Sequence, residues 1–284
     1  MTESSFRHGL VLGARGGLLH AIMEFGKTIM ASRRVMLSLA VRGFQSRYIG
    51  TGGGIIWSIV HPLATVFVFW VVFSLGFKSE GPKGVPFVLY FMTAFLPWHF
   101  VNEVLNASAS TVLANRHLAT KMVFPTETLP IVEIMTATVG HLVLLAFTML
   151  LLFMHGIIPG LGGLQIIYAY MCAVVLSLGL GWVVAATNVF HRDINQSLPT
   201  VLNFWFWMTP IVWSIDMVPV KWQPFLMLNP MFHIVESYRS ALLYSHPVWL
   251  DMSQLLVFWT IALLIGISGA YVFLRLKPEF ADVL

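Results

Sequence analysis

Charged side chains are scarce in this chain of 284 residues: Asp, Glu, Lys and Arg make up 10% of it, against about 25% in an average soluble domain. The 58 residues between Glu133 and Arg192 contain none of the four. A membrane-spanning helix needs about 20 apolar residues, so this tract can cross a bilayer twice, with the glycine- and proline-rich residues 156–163 as the turn. The scarcity of charge therefore excludes a soluble protein and predicts an integral membrane protein.

Cysteines and catalytic motifs are also missing. The single cysteine, Cys172, excludes a disulfide within one chain. There is no G-x-x-x-x-G-K-[ST] phosphate loop, no H-E-x-x-H and no G-x-S-x-G, and the ten histidines are scattered without metal-ligand spacing. We therefore expect no catalytic residue, no metal site and no cofactor on this chain.

Acidic residues are absent from the predicted middle of the membrane. Glu103 and Glu133 lie near the cytoplasmic ends of predicted spans, where they can reach the interface. A proton-coupled carrier typically has acidic residues at mid-membrane depth. If this chain moves a substrate uphill, its energy must therefore come from another subunit.

The apolar tracts predict an all-α membrane protein with six transmembrane helices, a single transmembrane domain over residues 1–284. The predicted spans are 52–77, 86–105, 131–155, 164–190, 196–215 and 253–274. Six spans place both termini on one side of the membrane, and the distribution of Lys and Arg selects the side. Twelve of the 16 fall in the inner segments, and four fall in the outer ones: Lys78, Lys83, Lys221 and Arg239. Both termini are therefore predicted in the cytoplasm, and the net charge of +4 gives no reason to expect nucleic acid.

Residues 17–42, ahead of the first span, have apolar side chains at helical spacing and basic flanks. A helix with this pattern is expected to lie along the cytoplasmic interface of the membrane. It either simply anchors the chain at the membrane surface or also contacts a cytoplasmic partner.

Two connections between spans are unusual in composition. The inner loop, 106–125, reads as a short helix followed by Pro125 and Pro130, and we favour a docking role over an ordinary solvated connection. The outer segment, 216–251, is too apolar for a solvated loop, and prolines at 219, 224, 230 and 247 divide it into pieces too short to span. We predict one or two short re-entrant or interfacial helices there.

Aromatic residues are abundant in two spans and provide the positive evidence for function. The first span contains Trp57, Phe67, Phe69, Trp70 and Phe73, and the fifth contains Phe204, Trp205, Phe206, Trp207 and Trp213. For any one of them, an interfacial belt or helix packing is the simpler interpretation. The four consecutive rings 204–207, however, point all around a helix, so some must face protein or a conduit. Aromatic rings form uncharged platforms for sugar rings much as they do for bases, so they suit the passage of a polysaccharide.

Several short motifs in a fixed order resemble one family. They are Arg47-Tyr48…Thr51-Gly52…Gly54…Trp57…Pro62, Lys121-Met122-Val123-Phe124-Pro125, His191-Arg192-Asp193-Ile194, Thr209-Pro210-Ile211 and Asn229-Pro230…Glu236…Arg239. From about Arg42 to the C-terminus, the chain resembles the permease subunits of type-2 ABC exporters of polysaccharides.

The resemblance implies a homodimer of six-span subunits in the bacterial inner membrane, paired with two copies of a separate ATPase that binds ATP and Mg. The implied cargo is a lipid-linked polysaccharide such as O-antigen, capsule or teichoic acid. The first and fifth spans then line the conduit, and the inner loop contacts the ATPase through Arg116, His117, Lys121 and Phe124. Asn229, Pro230, Glu236 and Arg239 would belong to an external gate.

The sequence also allows other interpretations. Arg192 and Asp193 form a cytoplasmic turn, in which the pair either holds helix ends or is simply solvated. The cargo of a type-2 ABC permease could instead be a drug or a lipid. A membrane-embedded transferase acting on lipid-linked sugars is the alternative from another class, and it would need convergent acidic residues or a metal site.

Overall fold

The computed structural model describes residues 17–48, 56–121, 124–244 and 252–284. Within these ranges every regular element is helical and no strand occurs, so the predicted all-α architecture is confirmed. Parts of the predicted first span (52–55), inner loop (122–123) and outer segment (245–251, with Pro247) lie outside the described residues.

The described ranges contain eleven α-helices. In chain order they are α1 (Gly17–Tyr48), α2 (Ile56–Trp70), α3 (Phe87–Ala114), α4 (Arg116–Lys121), α5 (Leu129–Met154), α6 (Gln165–Phe190), α7 (Asp193–Met208), α8 (Gln223–Met227), α9 (Pro230–Arg239), α10 (Met252–Leu276) and α11 (Phe280–Val283). Turns of π-helix extend α2 through Val71–Gly76 and α9 through Ser240–Tyr244.

Four helical segments are long and apolar enough to cross a membrane. They are Ile59–Gly76, Thr126–Met154, Leu161–Phe190 and Met252–Val283, which contain most of α2, α5, α6 and α10. Between α5 and α6, Gly156 has a φ of 73°, a backbone conformation that glycine adopts without steric cost. The chain therefore turns back within the uncharged tract.

The two remaining predicted spans correspond to α3 and α7, which differ from the other four. Helix α3 has 28 residues, but its second half contains Asn102, Glu103 and Asn106 among its apolar residues. Helix α7 has only 16 residues, or about 24 Å at 1.5 Å per residue, whereas the hydrocarbon core is about 30 Å thick. Length and hydropathy thus identify four spans directly.

Helix α3 is the central element of the bundle. It contacts α2, α5, α6, α7 and α9, and its first three turns, from Phe87 to Trp98, are almost completely buried. A helix that is apolar on all sides is stable only when other helices surround it. The position of α3 therefore fixes where the aromatic helices α2 and α7 lie.

Helices α6 and α10 pack closely because glycines lie where they cross. A Cβ atom built on Gly179 of α6 would lie 3.0 Å from the Cα atom of Gly266 of α10. Small residues at a helix crossing allow the backbones to approach, which is a common packing mode in membranes.

Helix α1 lies against the start of α5. Met36 and Ala40 of α1 are buried with Val132 of α5, and the Thr136 hydroxyl donates to the Ala40 carbonyl at 3.3 Å. The predicted interfacial face also includes Met30 and Leu37, whose side chains are exposed. The helix therefore has one apolar strip against the bundle and further apolar residues outside it.

Candidate functional site

Aromatic rings of α2 and α7 meet on the surface of α3. Phe69 of α2 stacks on Phe91 of α3, with 4.7 Å between ring centroids, and lies 5.8 Å from Phe206 of α7. One turn further along α2, Phe73 stacks on Phe87 of α3 at 4.9 Å. Such offset stacks favour a defined geometry beyond simple burial. The two aromatic-rich helices therefore lie side by side.

Burial divides the ten predicted conduit residues into two groups. Four have exposed side chains: Trp57, Phe67, Phe204 and Trp207. The other six are buried or half-buried: Phe69, Trp70, Phe73, Trp205, Phe206 and Trp213. In the single chain, the first group is available for a ligand or another protein surface, whereas the second contributes to packing.

The exposed face of α7 combines uncharged polar and aromatic side chains. Gln196, Thr200, Asn203 and Trp207 are exposed at a spacing that places them in one row along the helix, and Phe204 is exposed beside that row. The opposite row, Leu198, Leu202 and Phe206, is buried. Polar residues at membrane depth usually face a bundle interior or a water-filled cavity, so this face is unsuited to lipid.

Asn229 joins the outer segment to the end of α7. Its side-chain oxygen accepts hydrogen bonds from the indole of Trp205 at 2.8 Å and from the backbone N–H of Met231 at 3.0 Å. Its amide nitrogen donates to the Thr209 hydroxyl at 2.9 Å. Asn229 is thus the N-cap of α9, and Pro230 at the first helical position requires no N–H partner.

Arg239 anchors the other end of α9 inside the protein. Its side chain is 0% exposed, whereas that of Glu236 is 38% exposed, and the two form an ion pair at 2.7 Å. Its guanidinium also donates to the carbonyl of Ile211 at 3.0 Å and lies 3.6 Å from the centre of the Tyr90 ring. The sequence analysis counted Arg239 among the charges of the outer segments and assigned it to the gate. The structure adds that its side chain is buried and packs on the ring of Tyr90 of α3.

Three of the four predicted ATPase-contact residues lie in α4, and the fourth, Phe124, follows it. Arg116 and His117 are exposed at the start of this helix. Phe124 is half-buried against a cluster that includes Leu118 of α4. Lys121 ends the helix, and its side chain lies outside the described residues. The part of the predicted loop before α4 belongs to the long helix α3.

In the turn between α6 and α7, which is predicted to be cytoplasmic, both predicted charges, Arg192 and Asp193, are exposed. Asn188, which the sequence analysis did not select, makes the contacts that tie the turn to the bundle. Its amide donates to the carbonyl of Ala109 in α3 at 2.7 Å, and its oxygen accepts from the backbone N–H of Asn195 in α7 at 3.0 Å. One buried side chain therefore connects three helices.

The C-terminal residues lie against α4 and against the turn Thr126–Thr128 that precedes α5. Lys277 pairs with Glu127 at 2.5 Å, and the carbonyl of Glu127 accepts from the Trp182 indole at 2.9 Å. Phe280 of α11 is buried with Leu118 of α4. Nothing in the sequence indicated these contacts, because Lys277 and Glu127 are 150 residues apart along the chain.

Two buried histidines, His141 of α5 and His233 of α9, belong to hydrogen-bond pairs with tyrosines. The Tyr238 hydroxyl of α9 lies 3.0 Å from His141 Nε2 of α5, and the Tyr168 hydroxyl of α6 lies 3.1 Å from His233 Nε2 of α9. Within the described ranges, no group of three or more His, Cys, Asp and Glu side chains could hold a metal ion. These histidines therefore connect α9 to the bundle.

The sequence matches the family described as ABC-2 type transporter over residues 34–243. The chain belongs to this family. It is 24% identical to the O-antigen export system permease protein RfbA of Klebsiella pneumoniae over 253 residues, which cover 88% of this chain and 95% of that protein. It is 25% identical to RfbA of Myxococcus xanthus over 252 residues, with the same coverage. It is 21% identical to the polysialic acid transport protein KpsM of Escherichia coli over 234 residues, 81% of this chain and 90% of that protein.

The matched range of this ABC-2 type transporter runs from the middle of α1 to the end of the turn after α9. It contains all the predicted conduit, loop and gate residues, from Trp57 to Arg239. The recognition made from the short motifs is therefore confirmed at the level of the family.

Proposed function

We propose that this chain is the channel-forming permease subunit of an ATP-driven exporter that moves a lipid-linked polysaccharide, of capsule or O-antigen type, across the bacterial inner membrane. The observation that supports it best is the exposed face of α7, where a row of uncharged polar side chains leads to the exposed rings of Phe204 and Trp207. Membership of the ABC-2 type transporter family and the functions named for the relatives agree with it.

The chemistry of this face suits a sugar polymer. Hydroxyl and amide groups such as those of Thr200 and Asn203 exchange hydrogen bonds with sugar hydroxyls as readily as with water. The rings of Phe204 and Trp207 offer flat apolar surfaces to the C–H faces of sugars. Because no charge lies on the row beyond Asp193, no single site along it would hold a neutral chain strongly.

A conduit needs a second wall. In the proposed homodimer, the exposed faces of α2 and α7 of one subunit oppose those of the other and enclose the path. Two copies of a separate ATPase, which bind ATP and Mg, would dock at α4 beside Arg116, His117, Lys121 and Phe124. ATP hydrolysis would then drive transport from the cytoplasmic surface of the permease.

The outer segment would serve as the gate of this path. Asn229 and Pro230 define the start of α9, and Glu236 and Arg239 lie at its other end. Both ends are attached to the region where α7 ends, through Trp205 and the carbonyl of Ile211. A shift of α7 would therefore move α9 with it.

The test removes the exposed rings and keeps the packed ones. We expect Phe204→Ala combined with Trp207→Ala to lower surface polysaccharide about tenfold or more, because loss of comparable ring stacking costs about 1–3 kcal/mol per ring. Polymer on the cell surface would be quantified per amount of the protein in the membrane.

The control pair is Leu263→Ala with Leu264→Ala, two exposed residues of α10, which should leave export unchanged. Normal export by the α7 double variant at normal membrane levels would contradict the aromatic conduit. Trp205 is unsuitable for this test, since its indole holds Asn229 and its loss would disturb the outer segment.

A further inference from the structure

The half of the molecule that is predicted to be cytoplasmic contains a cavity lined by both polar and apolar side chains, none of them from α7. It has a volume of about 720 Å³ and lies between α1, α2, α3 and α5. This is within the range of small-molecule sites, about 300–1,000 Å³. Trp57 and His61 of α2 line it, and their rings lie 5.3 Å apart.

One face of α3 provides most of the polar lining. His99, Asn102, Glu103, Asn106 and Ser110 recur at intervals of three and four residues, so they form a stripe along the helix. The other side of the same turns, with Val101, Val104 and Leu105, belongs to the apolar core. A polar stripe in a membrane helix indicates contact with water or a polar ligand.

Local hydrogen bonds hold parts of this stripe in place. The Asn106 amide donates to the backbone and side-chain oxygens of Asn102 at 2.8 and 3.0 Å. The Thr111 hydroxyl donates to the Glu133 carboxylate of α5 at 2.8 Å. His99 Nδ1 lies 3.9 Å from Glu103. The cavity thus presents carboxylate and amide groups at defined positions, in the same space as an indole ring.

We propose that this cavity binds a short stretch of neutral sugar units of the exported polymer at the cytoplasmic side, before they pass between α2 and α7. Carboxylates accept hydrogen bonds from sugar hydroxyls, amides both accept and donate them, and Trp57 provides an apolar platform. Among the described lining residues, two carboxylates (Glu103 and Glu133) face one guanidinium, that of Arg42. The excess of negative over positive charge in the cavity disfavours an anionic diphosphate or lipid headgroup and favours uncharged sugars. The inference rests on the proposed function.

Photocrosslinking tests for sugar in the cavity. The photoreactive residue p-benzoylphenylalanine would replace Ala114, an exposed residue that lines the cavity. In separate variants it would replace Phe204 on the face of α7, and Ala146, an exposed residue of α5 away from both sites. Cells that make the polymer would be irradiated, and the purified protein would be stained for carbohydrate by periodate oxidation.

We expect carbohydrate-stained products from the Ala114 and Phe204 positions, none from Ala146, and none in cells unable to make the polymer. Stain at Phe204 without stain at Ala114, or only phospholipid attached at Ala114, would overturn the cavity proposal and leave the proposed function standing. Absence of stain at both Ala114 and Phe204 would overturn the proposed function, and the cavity proposal with it.

A cavity-filling variant tests whether the site matters for export. Ala107 lines the cavity, so Ala107→Leu would extend a side chain into it, and Ala146→Leu is the matched control at the outer surface of α5. We expect Ala107→Leu to lower export about tenfold, while the protein still co-purifies with its ATPase. Tenfold corresponds to the loss of about one hydrogen bond between the sugar and a charged side chain of the cavity. Unchanged export by an Ala107→Leu protein that is stable in the membrane would overturn the proposal.

Discussion

Arg239 illustrates how one residue can organise an outer segment. A buried charge is costly unless it is paired and hydrogen-bonded. Arg239 makes such contacts through both terminal nitrogens of its guanidinium, whereas its buried Nε–H has no hydrogen-bond partner among the described residues. Here Glu236, the Ile211 carbonyl and the face of Tyr90 surround the guanidinium. Ile211 lies in the non-helical stretch after α7 and Tyr90 lies on α3, so this one side chain holds α9 against two other parts of the fold.

Removal of this side chain should destabilise the protein strongly. We expect Arg239→Ala to cost about 2–5 kcal/mol, because it leaves a cavity and an unpaired carbonyl. Arg239→Lys should recover only part of the loss, since an ammonium cannot reproduce the planar fork. The measurement is the temperature at which the purified protein aggregates in detergent. Lys221→Ala, at an exposed charge of the same segment, should melt like the unaltered protein, and equal melting of Arg239→Ala and Lys221→Ala would contradict the anchoring role.

At the scale of elements, the close crossing of α6 and α10 depends more on Gly269 than on Gly266, one turn earlier in α10. A Cβ atom on Gly269 would lie 3.1 Å from the carbonyl carbon of Gly179 and closer still to its oxygen, whereas a Cβ atom on Gly266 would meet nothing within 4 Å. We expect Gly269→Ala to push the helices apart and cost about 1–3 kcal/mol, seen as a lower melting temperature and a lower amount in the membrane.

Gly266→Ala is the internal control, since it adds the same methyl group three residues earlier on the same helix. It should be neutral or slightly stabilising, because alanine favours a helix over glycine by about 1 kcal/mol. Equal effects of the two substitutions would show that the close approach at Gly269 does not limit packing.

The helices were largely predictable from the sequence, whereas the helices and side chains that each one packs against were not. Apolar tracts indicate α2, α5, α6 and α10 because length and hydropathy are local properties of the chain. The four consecutive aromatics 204–207 indicate only that rings point in all directions around a helix. Which of them are buried depends on where α3 lies, and so Phe206 packs while Phe204 is exposed. The same limit applies to the pairs Arg239–Tyr90 and Lys277–Glu127, because partners so distant in sequence leave no periodic pattern.

At the scale of the molecule, the path of α7 decides the number of membrane crossings. The helix alone is shorter than the hydrocarbon core, and residues 209–214 continue it without regular structure. Thr209, Ile211, Val212 and Ser214 of this stretch are buried. Non-helical backbone is tolerated at membrane depth when protein covers it, so the helix and this stretch can cross together, as six spans require.

Accessibility of single cysteines to a membrane-impermeant maleimide tests this topology. The exposed residues Glu80 and Lys221 lie on the predicted outer side, and the exposed residues His117 and Arg192 lie on the inner side. Glu80→Cys and Lys221→Cys should react in intact spheroplasts, and His117→Cys and Arg192→Cys only after permeabilisation; the native Cys172 is buried. Reaction of Lys221→Cys only after permeabilisation, like Arg192→Cys, would mean that α7 returns to the cytoplasmic side. The outer segment could then not form an external gate, because α9 would lie on the same face as α4.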